Sequence, residues 1–224
     1  MQVEKNKEYI VEIIDNGFEG EGIAKIEGFT IFIPNAIKGE KVKILIVKVL
    51  KSHAFGKLVE IIKADKNRTE SDCTTYKRCG GCDLRHIKYE ETLKIKQNAV
   101  QSLVNKTLKS KIDVQETLGM ENPYYYRNKA QYPVGLNKEG KATIGVFANR
   151  THEIIPIETC FIQNKKSQEL AKSIVDFINK NNISIYNEKT QKGLIRHIVT
   201  KVGMKTNEIM CIIVINGKSI PKEN

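Results

Sequence analysis

Three cysteines crowd into ten residues of this chain, Cys73, Cys79 and Cys82 in the run C-T-T-Y-K-R-C-G-G-C, and a fourth, Cys160, lies far downstream. Gly80-Gly81 separate the last two of the cluster, so the thiols of one short loop can converge, and the remote cysteine can close a four-sulfur site. Any fold must then bring a distant segment up to that loop. Soft thiolates so arranged select zinc or an iron–sulfur cluster. Structural zinc usually sits on two paired knuckles. Here only one C-x2-C pair is present, and three clustered cysteines with a remote fourth favour iron–sulfur. The glycines fit as well, because they let backbone amides approach the sulfurs. Disulfides and unrelated buried cysteines remain open as alternatives. A chain of 224 residues can bury a core without disulfide staples. Met1-Gln2-Val3-Glu4-Lys5 shows no charged-then-apolar leader, and no apolar run approaches the roughly 20 residues needed to span a membrane. A cytoplasmic protein with no membrane partner is expected. Cys211, in the apolar run from Ile209 to Ile215, reads as a core cysteine.

Charge narrows the partner. The net charge is +11 with 37 basic residues, and residues 1–62 are balanced, so the excess falls on residues 63–224. A basic excess of this size points to a polyanion, most often nucleic acid.

The pattern divides the chain near residues 62–72. Before it, short apolar runs at Tyr9–Ile14, 23–26, 29–33, 41–50 and 56–62 alternate with turn signals. Val42, Ile44 and Ile46 place apolar side chains on one face, as a half-buried strand requires. About five strands in some 60 residues is the size of an oligonucleotide-binding β-barrel. After a polar linker, residues 91–108 turn helical, with Leu93, Gln97, Val100, Leu103 and Val104 on one side. Strands at 129–134, 142–148 and 154–156, a helix at 166–179, and strands at 196–202 and 208–215 complete a second domain. The expected fold class is mainly β, an OB-like small barrel at 1–62 followed by an α+β domain at 63–224 that carries the four-cysteine site.

Several motifs occur together: the β-rich start, C-x5-C-G-G-C, Tyr126-Arg127-Asn128-Lys129-Ala130, Ile144-Gly145-Val146-Phe147, His152-Glu153-Ile154-Ile155, Cys160, and Gly193-Leu194-Ile195-Arg196-His197-Ile198-Val199. In this order they resemble the bacterial RNA uracil-5-methyltransferases, and most closely the 23S ribosomal RNA branch. The resemblance implies a TRAM domain over residues 1–62 and a central domain in which Cys73, Cys79, Cys82 and Cys160 hold a 4Fe-4S cluster. It also implies a Rossmann-like domain that binds S-adenosylmethionine, with a cysteine attacking uracil C6 and an acidic base removing the C5 proton.

No glycine-rich loop follows a strand and opens a helix here, and the sequence stops at Pro221-Lys222-Glu223-Asn224. The sequence expectation is therefore an RNA-recognition portion, inactive alone, with no catalytic or S-adenosylmethionine-binding residue. S-adenosylmethionine is then expected only in a longer enzyme. The alternative is a stand-alone RNA-binding or redox module holding iron–sulfur or zinc, and zinc or disulfides could also replace the cluster on purification. The expected partner is a single-stranded or looped, uridine-containing segment of ribosomal RNA. Aromatic faces stack on unpaired bases while cations hold phosphates, which selects Tyr126, Arg127 and Lys129 first, then Arg85, His86 and Lys88. Lys51, His53, Phe55 and Lys57 form a barrel edge of the same kind. Arg196 and His197 are weaker candidates, since neighbours on a strand point to opposite faces. The helix at 91–108 is expected to expose apolar surface, open to self-association.

Overall fold

The computed structural model describes residues 3–108, 111–149 and 151–220. Residues 1–2 and 221–224, on which the readings of the chain's start and stop rest, lie outside the described residues. The described residues are mainly β, with two sheets and two helices. It forms two compact units, one of Met1–Ser71 with Cys82–Glu121 and one of Asp72–Gly81 with Asn122–Asn224.

The first unit holds a six-stranded sheet: β1 (Glu8–Glu12), β2 (Asp15–Asn16), β3 (Gly22–Ile26), β4 (Phe29–Ile33), β5 (Lys41–Val49) and β6 (His53–Lys63), in the order β1-β5-β6-β4-β3-β2. Its two edge strands are halves of one run broken only by Ile13-Ile14. Ile14 N–H donates to Ile23 O at 2.8 Å, so the sheet closes on itself as a barrel and leaves little unpaired edge. Alternation fills the interior. Val42, Ile44 and Ile46 on β5 are fully buried, as are Ile31 and Ile33 on β4 and Ala54 on β6. Gly56 completes the packing, since a Cβ there would stand 3.1 Å from Ile44 Cδ1 and 3.3 Å from Ile33 Cγ1.

Below the barrel core, Glu40 is wholly buried and Arg68 clamps its carboxylate from two nitrogens. The segment after Cys82 joins this unit because its apolar residues have partners here. Ile87 and Ile95 pack with Ile37 and Leu84, and backbone bonds tie Thr69 to His86 and Lys88 to Asn67.

Helix α1 (Tyr89–Thr107) buries Thr92 and Ile95 rather than the face centred on Val100 and Leu103, both of which are about half exposed. Gln97 and Gln101 face a following strand-like segment, where Gln101 exchanges bonds with Ile112 O and Val114 N. That polar demand sets which side of the helix turns inward.

The second unit is a five-stranded antiparallel sheet crossed by one helix. Its strands are β7 (Lys129–Leu136), β8 (Ala142–Phe147), β9 (Ile154–Pro156), β10 (Ile195–Val202) and β11 (Ile209–Ile215), in the order β11-β10-β7-β8-β9. Helix α2 (Lys165–Lys180) lays Ala171, Val175 and Ile178 on Tyr132, Val134, Ile144 and Ile198. Asn164 caps it, accepting from Lys166 N–H at 2.9 Å. Buried polar groups are matched in a chain: Tyr132 Oη meets Ser167 Oγ at 2.9 Å, and Ser167 meets Thr200. Burial pushes the Tyr132 phenol up to about 12.

Cys211 departs from expectation. It lies on the edge strand β11 and is exposed, with Ile209, Met210 and Ile212 beside it. An apolar run marks a strand but cannot say whether that strand ends up central or at an edge.

Candidate nucleic-acid interface

On the barrel, β4 and β6 run parallel with Phe32 opposite Phe55 and Thr30 opposite His53. Ala54 and Gly56 fill the inner face of β6, so His53, Phe55 and Lys57 point outward. Phe32 joins them. Its ring centre lies 5.3 Å from His53 and 5.9 Å from Phe55, and His53 to Phe55 is 5.2 Å. Lys48 on β5 stands opposite Phe55, beyond a one-residue bulge at Val47, and Lys51 and Lys57 are exposed nearby. Three linked rings flanked by lysines give a stacking platform with phosphate-holding cations. The sequence pointed to the β6 side of this patch and missed Phe32 and Lys48. Strand alternation marks Phe32 as outward, whereas Lys48 has the parity of the buried Ile44 and Ile46 and turns outward only past the bulge at Val47, and only the pairing of β4 and β5 with β6 brings the two beside Phe55.

On the second unit, residues 124–127 lie along residues 161–164. Tyr125 N–H donates to Phe161 O at 2.8 Å, Arg127 N–H to Ile162 O at 2.9 Å, and Asn164 N–H to Arg127 O at 3.1 Å. Tyr124, Tyr125 and Phe161 form a ring cluster at 6.2–6.3 Å. Lys165 Nζ sits 4.6 Å over the Tyr125 ring. Tyr126 is 46% exposed. Arg127 and Lys129 are exposed, and among the described residues neither pairs with a carboxylate. The sequence missed Phe161 and Lys165, which lie some 35 residues away and meet the tyrosines only through this backbone pairing.

Arg85 is half-buried and Lys88 exposed, but His86 is inside. It is 5% exposed, and burial, with the neighbouring Arg68 charge, pushes its imidazole down to about 4. It is neutral near pH 7 and presents no cation to RNA.

The cysteine loop is well held by backbone bonds. Cys79 N–H donates to Thr75 O and Tyr76 N–H to Cys73 O, and a bridge joins Cys79 to Ala148. Gln168 clamps Cys160 by accepting from its N–H at 2.7 Å and donating to its O at 2.8 Å. Even so, among the described residues no group of three or more His, Cys, Asp or Glu side chains could hold a metal ion. Among the local contacts, Gly81 N–H donates to Cys79 Sγ, and Cys73 Sγ contacts Thr75 Oγ1. Burial pushes the Cys79 thiol up, and Cys160 and Cys73 push it further. The expected 4Fe-4S cluster on Cys73, Cys79, Cys82 and Cys160 is therefore corrected, and among the described residues no disulfide joins these cysteines. Neither helix is entered by a glycine loop after a strand, so no described residue is assigned to S-adenosylmethionine. No helix is long and apolar enough to cross a membrane.

Residues 2–59 match the TRAM domain family. The chain is 46% identical over 222 residues to an uncharacterised RNA methyltransferase of Clostridium acetobutylicum, covering 98% of this chain and 48% of that protein. It is 40% identical over 218 residues to one of Staphylococcus epidermidis, covering 96% and 47%. The chain thus spans about half the length of the curated relatives it matches. In fold it is similar to the Pyrococcus abyssi tRNA (uracil-54, C5)-methyltransferase solved with S-adenosyl-L-homocysteine, with a TM-score of 0.70 at 22% identity over 95% of this chain and 47% of that one. These matches overturn the expectation of an inactive ribosomal RNA-recognition portion, and equally that of a stand-alone binding or redox module. Nearly every residue aligns with RNA methyltransferases, and where the chain ends carries no conclusion about activity. They also overturn the cofactor expectation, in which S-adenosylmethionine was confined to a longer enzyme: the structural neighbour holds the demethylated form of that donor. The chain carries a TRAM domain at residues 2–59 and is, over nearly its whole length, a homologue of RNA methyltransferases.

Proposed function

We propose that this protein methylates RNA at uracil C5 with S-adenosylmethionine as donor, and that it grips an unpaired or looped uridine-containing segment, of ribosomal RNA or tRNA, in the cytoplasm. The observation that carries RNA binding is the outward ring cluster Phe32–His53–Phe55 on the TRAM barrel, with lysines on its margins. Partly exposed aromatic faces beside lysines are the combination that stacks on unpaired bases and holds their phosphates. Lys51, His53, Phe55 and Lys57 on the first unit are proposed to contact RNA, joined by Phe32 and Lys48, with Arg85 and Lys88 as a second group. Tyr126, Arg127 and Lys129 are proposed contacts on the second unit. The relatives' activity supports methyl transfer, and the fold of the tRNA enzyme supports uracil as the target. S-adenosylmethionine supplies the methyl group when bound, and the residues described here supply RNA binding and orientation.

The test is a nucleoside digest of ribosomal RNA and of tRNA from cells with and without the gene. Loss of one 5-methyluridine in either fraction, restored by the gene, supports the proposal and names the RNA class. Unchanged 5-methyluridine in both fractions overturns it.

A further inference from the structure

A cleft of about 640 Å3 opens on the second unit, walled by Phe147, His152, Tyr186, Glu188, Arg196 and His197. Strict alternation along β10 would send Arg196 and His197 to opposite faces. The register of β10 against β11 shifts between Ile195 and His197, and this bulge seats both side chains on the cleft. Bulges re-aim side chains in this way. The Arg196 guanidinium lies 4.5 Å over the Tyr186 ring, and its Nε is buried with no hydrogen-bond partner among the described residues. The carboxylates at the cleft have other partners. Arg78 holds Glu153 at 2.6 Å, and His152 holds Glu188 at 3.0 Å. Phe147 packs on His152 at 5.3 Å and meets His197 edge-on at 6.4 Å. Burial, with Arg196 beside it, lowers the His197 imidazole below its usual range, which keeps that ring a neutral aromatic face.

The Arg196 guanidinium lines the cleft over the Tyr186 ring, where a ligand can bring it an acceptor. The walls supply flat π surfaces, and the volume is in the range of small-ligand sites. Bases splayed out of single-stranded RNA meet this combination of stacking faces and guanidinium. We propose that the cleft receives one unpaired nucleobase of bound RNA, stacked on its aromatic wall, with Arg196 donating to the base or its phosphate. This rests on the RNA-binding function proposed above and adds a second, separate contact to that of the barrel.

The test uses a short fluorescein-labelled oligouridylate, with a 4-thiouridine version for photocross-linking. Tyr186→Leu should weaken binding about tenfold or more, Tyr186→Phe should bind as wild type, and the cross-link should map to Phe147, Tyr186 or His197 peptides. If Tyr186→Leu does not fold, Arg196→Met is used, since it removes the cation and keeps the packed stem. Phe55→Ala reads the barrel contact independently. If wild type binds, Phe55→Ala weakens it, and the cleft variants bind as wild type with cross-links elsewhere, the cleft inference is overturned while RNA binding stands. If wild type binds no RNA, both fail.

Discussion

Replacing Arg68 by methionine should cost this protein a large part of its stability. Glu40 is completely buried. Its carboxylate accepts from Ile37 N–H at 2.9 Å, from Asp65 N–H at 3.4 Å, and from Arg68 through Nε and through Nη2 at 2.7 Å. Arg68 also donates to Asn35 O at 2.7 Å, so one guanidinium ties the β4–β5 turn to the linker after β6. With the cation gone, two backbone N–H groups must carry a buried negative charge alone. Breaking a buried pair from one side costs about 3–5 kcal/mol, against a typical total of about 5–15 kcal/mol. Urea unfolding near neutral pH measures the loss. Arg78→Met is the internal control: it breaks the Arg78–Glu153 pair, more than 60% exposed on both sides, and should cost under about 1 kcal/mol. A double-mutant cycle with Glu40→Gln should give a coupling of about 2 kcal/mol or more. If Arg68→Met costs no more than Arg78→Met, the reading of Glu40 as a buried, charged anchor is wrong.

Other outcomes follow from the same geometry. The unfolded chain takes up a proton on His86 near 6.5, whereas the folded one does so only near 4. Stability should therefore fall as pH drops from about 6.5 to 4, by roughly 3 kcal/mol at most at 1.36 kcal/mol per pH unit. Below that the His86 contribution is flat, and comparing pH titrations of stability for wild type and His86→Gln isolates the slope. Gly193→Ala should unfold or strongly destabilise the second unit in a thermal melt, because Gly193 has φ +100° and a Cβ would meet Ile185 O at 2.1 Å. Gln168→Ala removes the side chain that holds both backbone groups of Cys160, and a loss of about 1–3 kcal/mol is expected in denaturant unfolding.

What could be read from the sequence was what depends on local periodicity. Val42, Ile44 and Ile46 marked β5 and its inner face, and the helix expected at 166–179 lies within α2. Partnerships set by tertiary pairing were not legible. Phe32 became part of the RNA face only through the parallel β4–β6 register, and Phe161 met the tyrosines only through the pairing of residues 124–127 with 161–164. The bulge at Arg196 carries no glycine or proline to announce it. His86 looked cationic beside Arg85 and Lys88, yet strand-like pairing of its backbone with Thr69 turned it inward. Cys211 sat in a run apolar enough for a core, but among the described residues β11 is an edge strand.

The most direct test of the central claim is the affinity of the chain for a short unpaired oligouridylate, as wild type and with Phe32 and Phe55 both replaced by alanine. The account predicts salt-sensitive binding by wild type, with affinity falling as salt rises because lysines displace counterions. The double variant should bind at least about tenfold more weakly, since each stacked base is worth roughly 1–3 kcal/mol, while melting near the wild-type temperature because both rings lie outside the barrel core. Equal affinity in a folded double variant, or no binding by wild type at low salt, would contradict it.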